Sequence, residues 1–293
     1  MSACRVRAVL GASSVLFLIA SATPGALPAQ DAPNRAITRI AGDLYRFQNN
    51  FHTSVFYVTD GGIVVTDPIN ADAARWLKDE LAERFPDRPV RYLIYSHDHA
   101  DHISGGEVFA DDGATVIAHD NAKADIVAES RPTAVPDVTF AERMTVELGG
   151  KVVELAYLGR NHSDNSIVMH FPAERAVFAV DFVSVDRLPF RDLPDGYIDE
   201  WIESLKRLEA MDFDLLAPGH GQMGTREDVA EHRRYLEELR AEVLEHARAG
   251  RSLDETRSLV TMDAYRDWES YADWLPLNVE GMYRYLQLYR RPN

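Results

Sequence analysis

The stretch Ser96-His97-Asp98-His99-Ala100-Asp101-His102 constrains this chain more than any other. Three of the ten histidines fall within its six residues from His97 to His102. The preceding segment, Val90 to Tyr95, is apolar, β-branched or aromatic at most positions and predicts a buried strand. Ser104 to Ala110 predicts a short helical turn, with Gly105-Gly106 as the turn behind the histidines. The histidines and aspartates therefore occupy a strand-to-helix loop, where side chains converge without obeying a helix or strand period. Imidazole and carboxylate are both good ligands for zinc and its neighbours, so this loop is a candidate metal site. An acid-rich surface loop that happens to hold histidines is the alternative.

The start of the chain reads as a secretory signal. Arg5 and Arg7 form a short basic start, Ala8 to Ala22 is almost wholly small or apolar, and Leu27-Pro28-Ala29 offers a small residue before a cut. Cleavage near Ala29-Gln30 leaves about 264 residues, expected in the periplasm or outside the cell. That length suits one large α/β domain with a well-buried core, or two small ones. The only cysteine, Cys4, lies in the signal, so any metal must be held by His, Asp or Glu. The formal charge is -16, and loss of Arg5 and Arg7 makes it about -18. A field of that sign repels nucleic-acid backbones and anionic membrane surfaces, and no Lys or Arg run breaks it up. The expected partner is a small molecule, with no nucleic acid and no membrane insertion of the mature chain; oligomeric state is left open.

Taken in order, Leu44–Phe47, Ser54–Thr59 and Ile63–Thr66 read as strands, the last two joined by the hairpin turn Asp60-Gly61-Gly62. An amphipathic helix follows over Asp72–Phe85, with Ala74, Leu77 and Leu81 on one face. Past the histidine loop come a strand at Thr115–Ile117 and a helix over Asp120–Ala128, then a proline-bearing loop at Arg131–Pro136. A β-rich half runs through Met144–Leu148, Val152–Leu158, Ser166–Phe171 and Ala176–Val180. A helix over Ile198–Ala210 and a last strand at Phe213–Leu216 follow. Residues 222–293 read as helical, over Arg226–Gly250, Ser252–Met262 and an aromatic tail between Trp268 and Tyr289 whose last helix holds Met282, Tyr285, Leu286 and Tyr289. Aromatics at that spacing favour core packing over a ligand cage.

Three further strand ends carry candidate ligands: His162 after Tyr157-Leu158, Asp181 after Phe178-Ala179-Val180, and His220 after Leu216-Ala217-Pro218-Gly219. Ends of strands on one edge of a sheet are a natural place to assemble a site from distant positions. Each residue alone reads as a turn or cap; together with the histidine loop they form a pattern.

His97-x-His99-x-Asp101-His102, with His162, Asp181 and His220, resembles the metallo-β-lactamase fold superfamily, over about Leu44 to Gly221. The resemblance implies a four-layer αββα sandwich, one domain over residues 30–293 with extra C-terminal helices. It implies two divalent metals, with zinc expected: His97, His99 and His162 on the first, Asp101, His102 and His220 on the second, and Asp181 bridging. Asp101 and Asp181 are then also the catalytic carboxylates, and the reaction is hydrolysis by a hydroxide shared between the metals. Asp67 matches a structural aspartate of the family or is a plain turn residue before Pro68; Gly105 is read as structural support.

Departures narrow the activity. The segment Gly159 to Asn165 looks like the histidine loop of the cysteine-containing β-lactamases, but this chain has Asp181 in place of their cysteine. It also lacks the lysine that follows there. Possible substrate-side residues are His52, Asn165, Phe190, Arg187 and Arg191. The two arginines can hold a carboxylate or simply offset the chain's acids, and Phe182, Leu188, Pro189 and Phe190 suggest an apolar lip. Asp98 is given an orienting part, and His170 faces inward or outward from its strand. The leading expectation is opening of a cyclic amide or ester, a lactam or lactone. A phosphodiesterase or sulfatase is the enzymatic alternative, and a non-catalytic metal-binding protein the alternative of another class.

Overall fold

Short turns and apolar runs in the first half of the chain build a mixed sheet. The computed structural model describes Met1 and residues 32–289, so the segment read as a signal lies outside the described residues. The described residues from Pro33 onwards form one compact unit. Its first sheet runs β1 (Arg35–Ala41), β2 (Leu44–Asn49), β3 (His52–Thr59), β4 (Gly62–Thr66), β5 (Val90–Ile94), β6 (Thr115–His119) and β7 (Val138–Phe140) in that spatial order. Pairing is antiparallel up to β4 and parallel from β4 to β7. The second sheet has the order β12 (Leu215–Pro218), β11 (Ala176–Ala179), β10 (Ile167–Phe171), β9 (Lys151–Tyr157) and β8 (Arg143–Leu148), with only β11 and β12 parallel.

Parallel neighbours need crossovers, and the helices supply them. α1 (Ala71–Arg84) joins β4 to β5; α2 (Ala100–Ile103) and α3 (Glu107–Ala110) join β5 to β6. α4 (Asp120–Ala128) leads to β7, and α5 (Ile198–Glu209) joins β11 to β12. α6 (Arg226–Arg248), α7 (Leu253–Leu259) and α8 (Tyr271–Tyr289) complete the chain. Asn70 caps α1 by accepting from the backbone N–H groups of Asp72 and Ala73, and Ala73, Ala74, Leu77 and Leu81 form its buried stripe. Thr225 and Asp228 form a capping box at the start of α6.

Three apolar clusters define four layers. Tyr57, Ile94, Ile117, Leu155, Phe171 and Phe178 fill the space between the sheets. Leu77 and Leu81 of α1 pack with Val65 and Leu93 on the outer face of the first sheet, while Leu205, Leu236 and Met282 of α5, α6 and α8 pack with Val168 and Val177 on the outer face of the second. Each buried Leu or Ile contributes about 1.5–3 kcal/mol, so the sandwich is the arrangement that removes all four sheet faces from water. No helix among the described residues is long and apolar enough to cross a membrane.

The strand directions bring the carboxyl ends of β4, β5, β9, β11 and β12 to one edge. The two sheets are stitched there: the Thr53 N–H donates to the Gly219 carbonyl at 2.8 Å, and the Ile167 N–H donates to the Ser96 carbonyl at 2.8 Å. Two strands, β1 and β7, lie outside the sequence reading. β1 carries two arginines and is held by pairing with β2 more than by an apolar face, and β7 is too short to show a period. The last strand runs over Leu215–Pro218 instead of Phe213–Leu216, because Phe213 turns into the outer core before the strand begins. The helical turn expected at Ser104–Ala110 is split, α2 starting inside the histidine loop and α3 following Gly105-Gly106. Gly105 has a positive φ of 86°, and a Cβ there would collide with the Ala71 backbone at the start of α1.

Candidate metal centre

The loops after β5, β9 and β12 converge on Asp181. This residue follows β11 in the left-handed region at φ 66°, a conformation uncommon outside glycine that turns the chain sharply out of the sheet. Its two carboxylate oxygens face different neighbours. Oδ2 lies 3.3 Å from His97 Nε2, 3.8 Å from His99 Nδ1 and 3.8 Å from His162 Nε2. Oδ1 lies 3.3 Å from His102 Nε2 and 3.1 Å from His220 Nε2. Four ligands at about 2.0–2.2 Å around a tetrahedral ion stand roughly 3.4 Å apart, so both groups have the spacing of a metal nest. His97, His99, His162 and Asp181 form one such group, and His102, Asp181 and His220 the other.

The hydrogen-bonding state of the rings agrees. His97 Nε2, His162 Nε2 and Asp181 Oδ1 are buried without a hydrogen-bond partner. The Asp67 carboxylate accepts from the Ser96 N–H at 2.8 Å and from its hydroxyl at 2.6 Å, which leaves the Ser96 oxygen to accept from His97 Nδ1 at 2.8 Å. His162 Nδ1 donates to Asn161 Oδ1 at 3.0 Å. Both rings thus carry their proton on Nδ1 and aim a bare Nε2 lone pair inward, as a ligand must. His102 Nδ1 lies 3.3 Å from Asp67 Oδ2, and its Nε2 faces His220 Nε2 at 3.2 Å. Two ring nitrogens apposed at that distance suit a cation between them.

The electrostatics point the same way. Burial, followed by the positive field of His97, holds His162 well below the usual imidazole range, and burial lowers His97 as well. Burial alone would raise the Asp181 carboxyl, but the charge of His102 and the ring nitrogens around it outweigh that and hold it well below the carboxylate range. His99 and His102 shift the other way: burial lowers both, but the Asp181 carboxylate outweighs it and pushes them up, so a metal would displace protons there to bind the neutral rings. Gly219 precedes His220 because a Cβ there would stand 2.9 Å from His102 Cε1, inside the second nest.

Asp101 sits at the rim. Its Oδ2 is 3.7 Å from His102 Nε2 and 3.8 Å from His220 Nε2, but only 3.3 Å from His52 Nε2. His52, Asp101 and His220 form a third close group that shares His220 with the second nest. His52 is the first residue of β3 and bridges to His220 across the sheet edge.

Beyond the nests lies a cleft of about 370 Å³. His52, Arg187 and Phe190 line it. Asn165 and Arg191 do not. Asn165 is buried and turned towards the histidine loop, accepting from the Asp98 N–H at 3.1 Å and donating to Asp98 Oδ1 at 3.0 Å. Asp98 is thus held by Asn165 on one side and by Arg131, at 2.7 Å, on the other. Arg191 is exposed and covers the Phe190 ring. Phe182 is wholly buried in the outer core, so the apolar lip is carried by Leu188 and Phe190. His170 faces away from the nests, its Nδ1 on Glu154 at 2.9 Å and its Nε2 on the Asp212 carbonyl at 3.1 Å. Phe51, Trp201 and Trp274 also line the cleft. None had a local signal in the sequence; Trp274 in particular belongs to the aromatic tail read as core.

An αββα sandwich with a His/Asp nest at one edge of its paired sheets defines a metalloprotein class, and the sequence comparisons fix which one. The profile of the metallo-β-lactamase superfamily matches residues 49–220, and the chain belongs to that family, whose members are typically metal-dependent hydrolases. It is 28% identical over 243 residues to the 2,4-dinitroanisole O-demethylase subunit alpha of Nocardioides sp. (strain JS1661), covering 82% of this chain and 71% of that one. It is 26% identical over 171 residues to the metallo-β-lactamase type 2 of Bacillus cereus, covering 57% of this chain and 66% of the relative. Among solved structures, a metallo-β-lactamase from Pontibacter korlensis shares 20% identity at a TM-score of 0.63, over 70% of this chain and 99% of the other. A double mutant of a sec-alkyl sulfatase shares 17% identity at a TM-score of 0.72, over 87% of this chain and 51% of the other. At those identities the two structures speak for the fold alone.

Proposed function

We propose that the two nests hold two divalent ions, zinc in the first instance, and that the protein hydrolyses a small, largely apolar substrate at them. The observation that carries this reading is Asp181, which turns one oxygen to each nest. His97, His99 and His162 would complete the first site, and His102, His220 and Asp101 the second. Bound there, the ions supply water activated near neutral pH and a Lewis acid for the electrophilic oxygen. The chain does the rest: the Asp67–Ser96 pair fixes the ring planes of the histidine loop, Arg131 and Asn165 brace Asp98, and Trp201, Val183 and Leu188 keep the cleft wall dry. Cyclic amides and esters, lactams and lactones, are the leading substrates, since the scissile group is compact and the cleft small.

A second reading, hydrolysis of an activated aryl ether, is supported by the alignment to the O-demethylase subunit, which extends over 82% of the chain and so beyond the segment matched by the family profile. Phosphodiester and sulfate ester cleavage follow as third choices. The basic and then apolar start supports export to the periplasm, which N-terminal sequencing of the protein from an exporting host checks.

Metal content by mass spectrometry tests the reading. Two ions per chain, both lost on Asp181→Ala, are expected; one or none overturns it. Assay against one penicillin, one lactone and one nitroaryl ether, each with a chelated control, then sorts the substrates. Chelator-sensitive kcat/KM of about 10⁴ M⁻¹s⁻¹ or more marks the true class.

A further inference from the structure

At the rim of the second nest His52, Asp101 and His220 bring three donors together, with ligand atoms within 4.8 Å of one another. His52 Nε2 and Asp101 Oδ2 are 3.3 Å apart, the separation of His97 and of His102 from Asp181 in the two nests. The ring spacing shows which imidazoles can share an ion. In the first nest the ring centroids of His97, His99 and His162 stand 4.4–5.0 Å apart, and those of His102 and His220 stand 5.0 Å apart. His52 falls in that range with His220, at 4.7 Å, but lies 6.0 Å from His102. The His220 ring therefore stands between two partners, His102 on the inside and His52 on the outside.

The outer partners are fixed by the seam between the sheets. His52 opens β3 and bridges to His220, and the next residue, Thr53, donates its N–H to the Gly219 carbonyl and its hydroxyl to the Pro218 carbonyl. Arg46 of β2 donates to the Gly221 carbonyl on the other side of His220. Phe51 stacks on His220, centroids 5.0 Å apart and planes 17° from parallel. The Arg187 guanidinium lies over Phe51 at 4.1 Å and over Trp274 at 4.5 Å, so the stack runs from α8 to His220 and leaves that ring little freedom to turn.

Exposure grades the two sides of His220. The Asp101 side chain is 50% exposed and that of His52 30%, whereas Asp181 is 15% exposed and His102 is wholly buried. An ion arriving from solvent meets His52 and Asp101 first. Two imidazoles and one carboxylate with open positions make an exchangeable zinc-type site, with one protein ligand fewer than the nest behind it. Asp101 and His220 serve both sides: the outer set has His52 where the inner one has His102 and Asp181.

We propose that His52, Asp101 and His220 form an outer seat for a divalent transition-metal ion, and that the second ion lands there before it passes inward. Passage exchanges His52 for His102 and Asp181, while Asp101 and His220 keep hold of the ion throughout. The filled inner nest takes the shared His220, so the seat adds no third ion at equilibrium. The proposal rests on the two-ion reading of the nests, and its test reads metal binding alone, without turnover.

Cobalt(II) titration of the metal-free protein, followed by calorimetry and by the visible ligand-field spectrum, tests it. The wild type is expected to take two ions, and His102→Ala, which spoils the inner nest, to keep a second ion about 100-fold more weakly held. Adding His52→Ala to His102→Ala is expected to abolish that second ion. With His102 intact, His52→Ala is expected to reach two ions, but in stopped flow the second is taken up about tenfold more slowly. His52→Gln should load as slowly, since an amide can donate to Asp101 but is a poor ligand for zinc or cobalt. The first ion, held by His97, His99, His162 and Asp181, reports that each variant has folded; should His102→Ala lose it, the loading rates of the two His52 variants decide alone. A second ion in His102→Ala that survives His52→Ala, or its absence up to about 1 mM cobalt, overturns the proposal. So does wild-type loading in His52→Gln, which would leave His52 only a hydrogen-bond donor to Asp101. Two ions in the wild type with none of these His52 effects sinks the seat alone; a wild type that takes a single ion sinks the two-ion reading and the seat with it.

Discussion

The floor of the cleft and its wall are built on different principles. The floor consists of single residues at strand ends, two of them fixed by short local bonds, His97 by Ser96 and Asp67 and His162 by Asn161. The wall consists of large side chains from remote segments, Phe51, Arg187 and Trp274, that have meaning only when the sandwich and the C-terminal helices have assembled. A rigid edge supplies reactive geometry; tertiary packing supplies selection. Damage to the floor should therefore abolish the chemistry at little cost in folding, whereas damage to the wall should change which molecules enter.

The sharpest break is Asp181→Ala. Removing the carboxylate shared by both nests is expected to lower kcat/KM by about 10³-fold or more, at least 4 kcal/mol of transition-state stabilisation, while the circular dichroism spectrum is kept. Next comes Asp67→Ala, which touches no ion but releases Ser96, His97 and His102 together. Loss of such outer support costs about 10–100-fold in metal affinity, measurable by competition with a chromogenic chelator. On the wall, Asn278→Ala leaves the Pro189 and Arg191 carbonyls and the Tyr235 hydroxyl unpaired. A cost of about 1–3 kcal/mol in stability is expected, with KM raised, metal content unchanged and kcat nearly so.

The smallest effect separates the regions by pH. His232 of α6 is fully buried, accepts from the Ser184 N–H of the wall loop at 3.4 Å, and burial lowers it to about 4. The unfolded chain binds its proton near pH 6.5, so the folded state is favoured above that value and loses ground as the pH falls towards 4. At pH 5.5 the loss is about 1.4 kcal/mol. His232→Gln should flatten that part of the stability curve in denaturant titrations, and an unchanged slope would assign it elsewhere.

The same division explains what could be read in the sequence. An apolar run ending in His or Asp is a local pattern, so His97 to His102, His162, Asp181 and His220 stood out; the layer order came with the family resemblance, which the strands and helices between them fit. The wall had no such pattern. Trp274 follows aromatics that do pack in the core, such as Tyr265, and only its place on α8 in the folded chain brings it to the cleft. Asn165 looked like a substrate contact by its place after His162, but its side chain turns to Asp98 instead. Arg187 and Arg191 were equivalent in sequence, four residues apart on one loop; burial between two rings distinguishes the first, and exposure the second.

Trp274 lies 54 positions beyond the last residue matched by the family profile, yet it forms one end of the stack that reaches His220. A segment outside the matched sandwich thus forms part of its mouth. Selectivity can then be inherited, lost or exchanged by recombination at the boundary after β12, without disturbing a single ligand, and chimeras that swap residues 222–293 between relatives become a direct way to graft one member's diet onto another's chemistry.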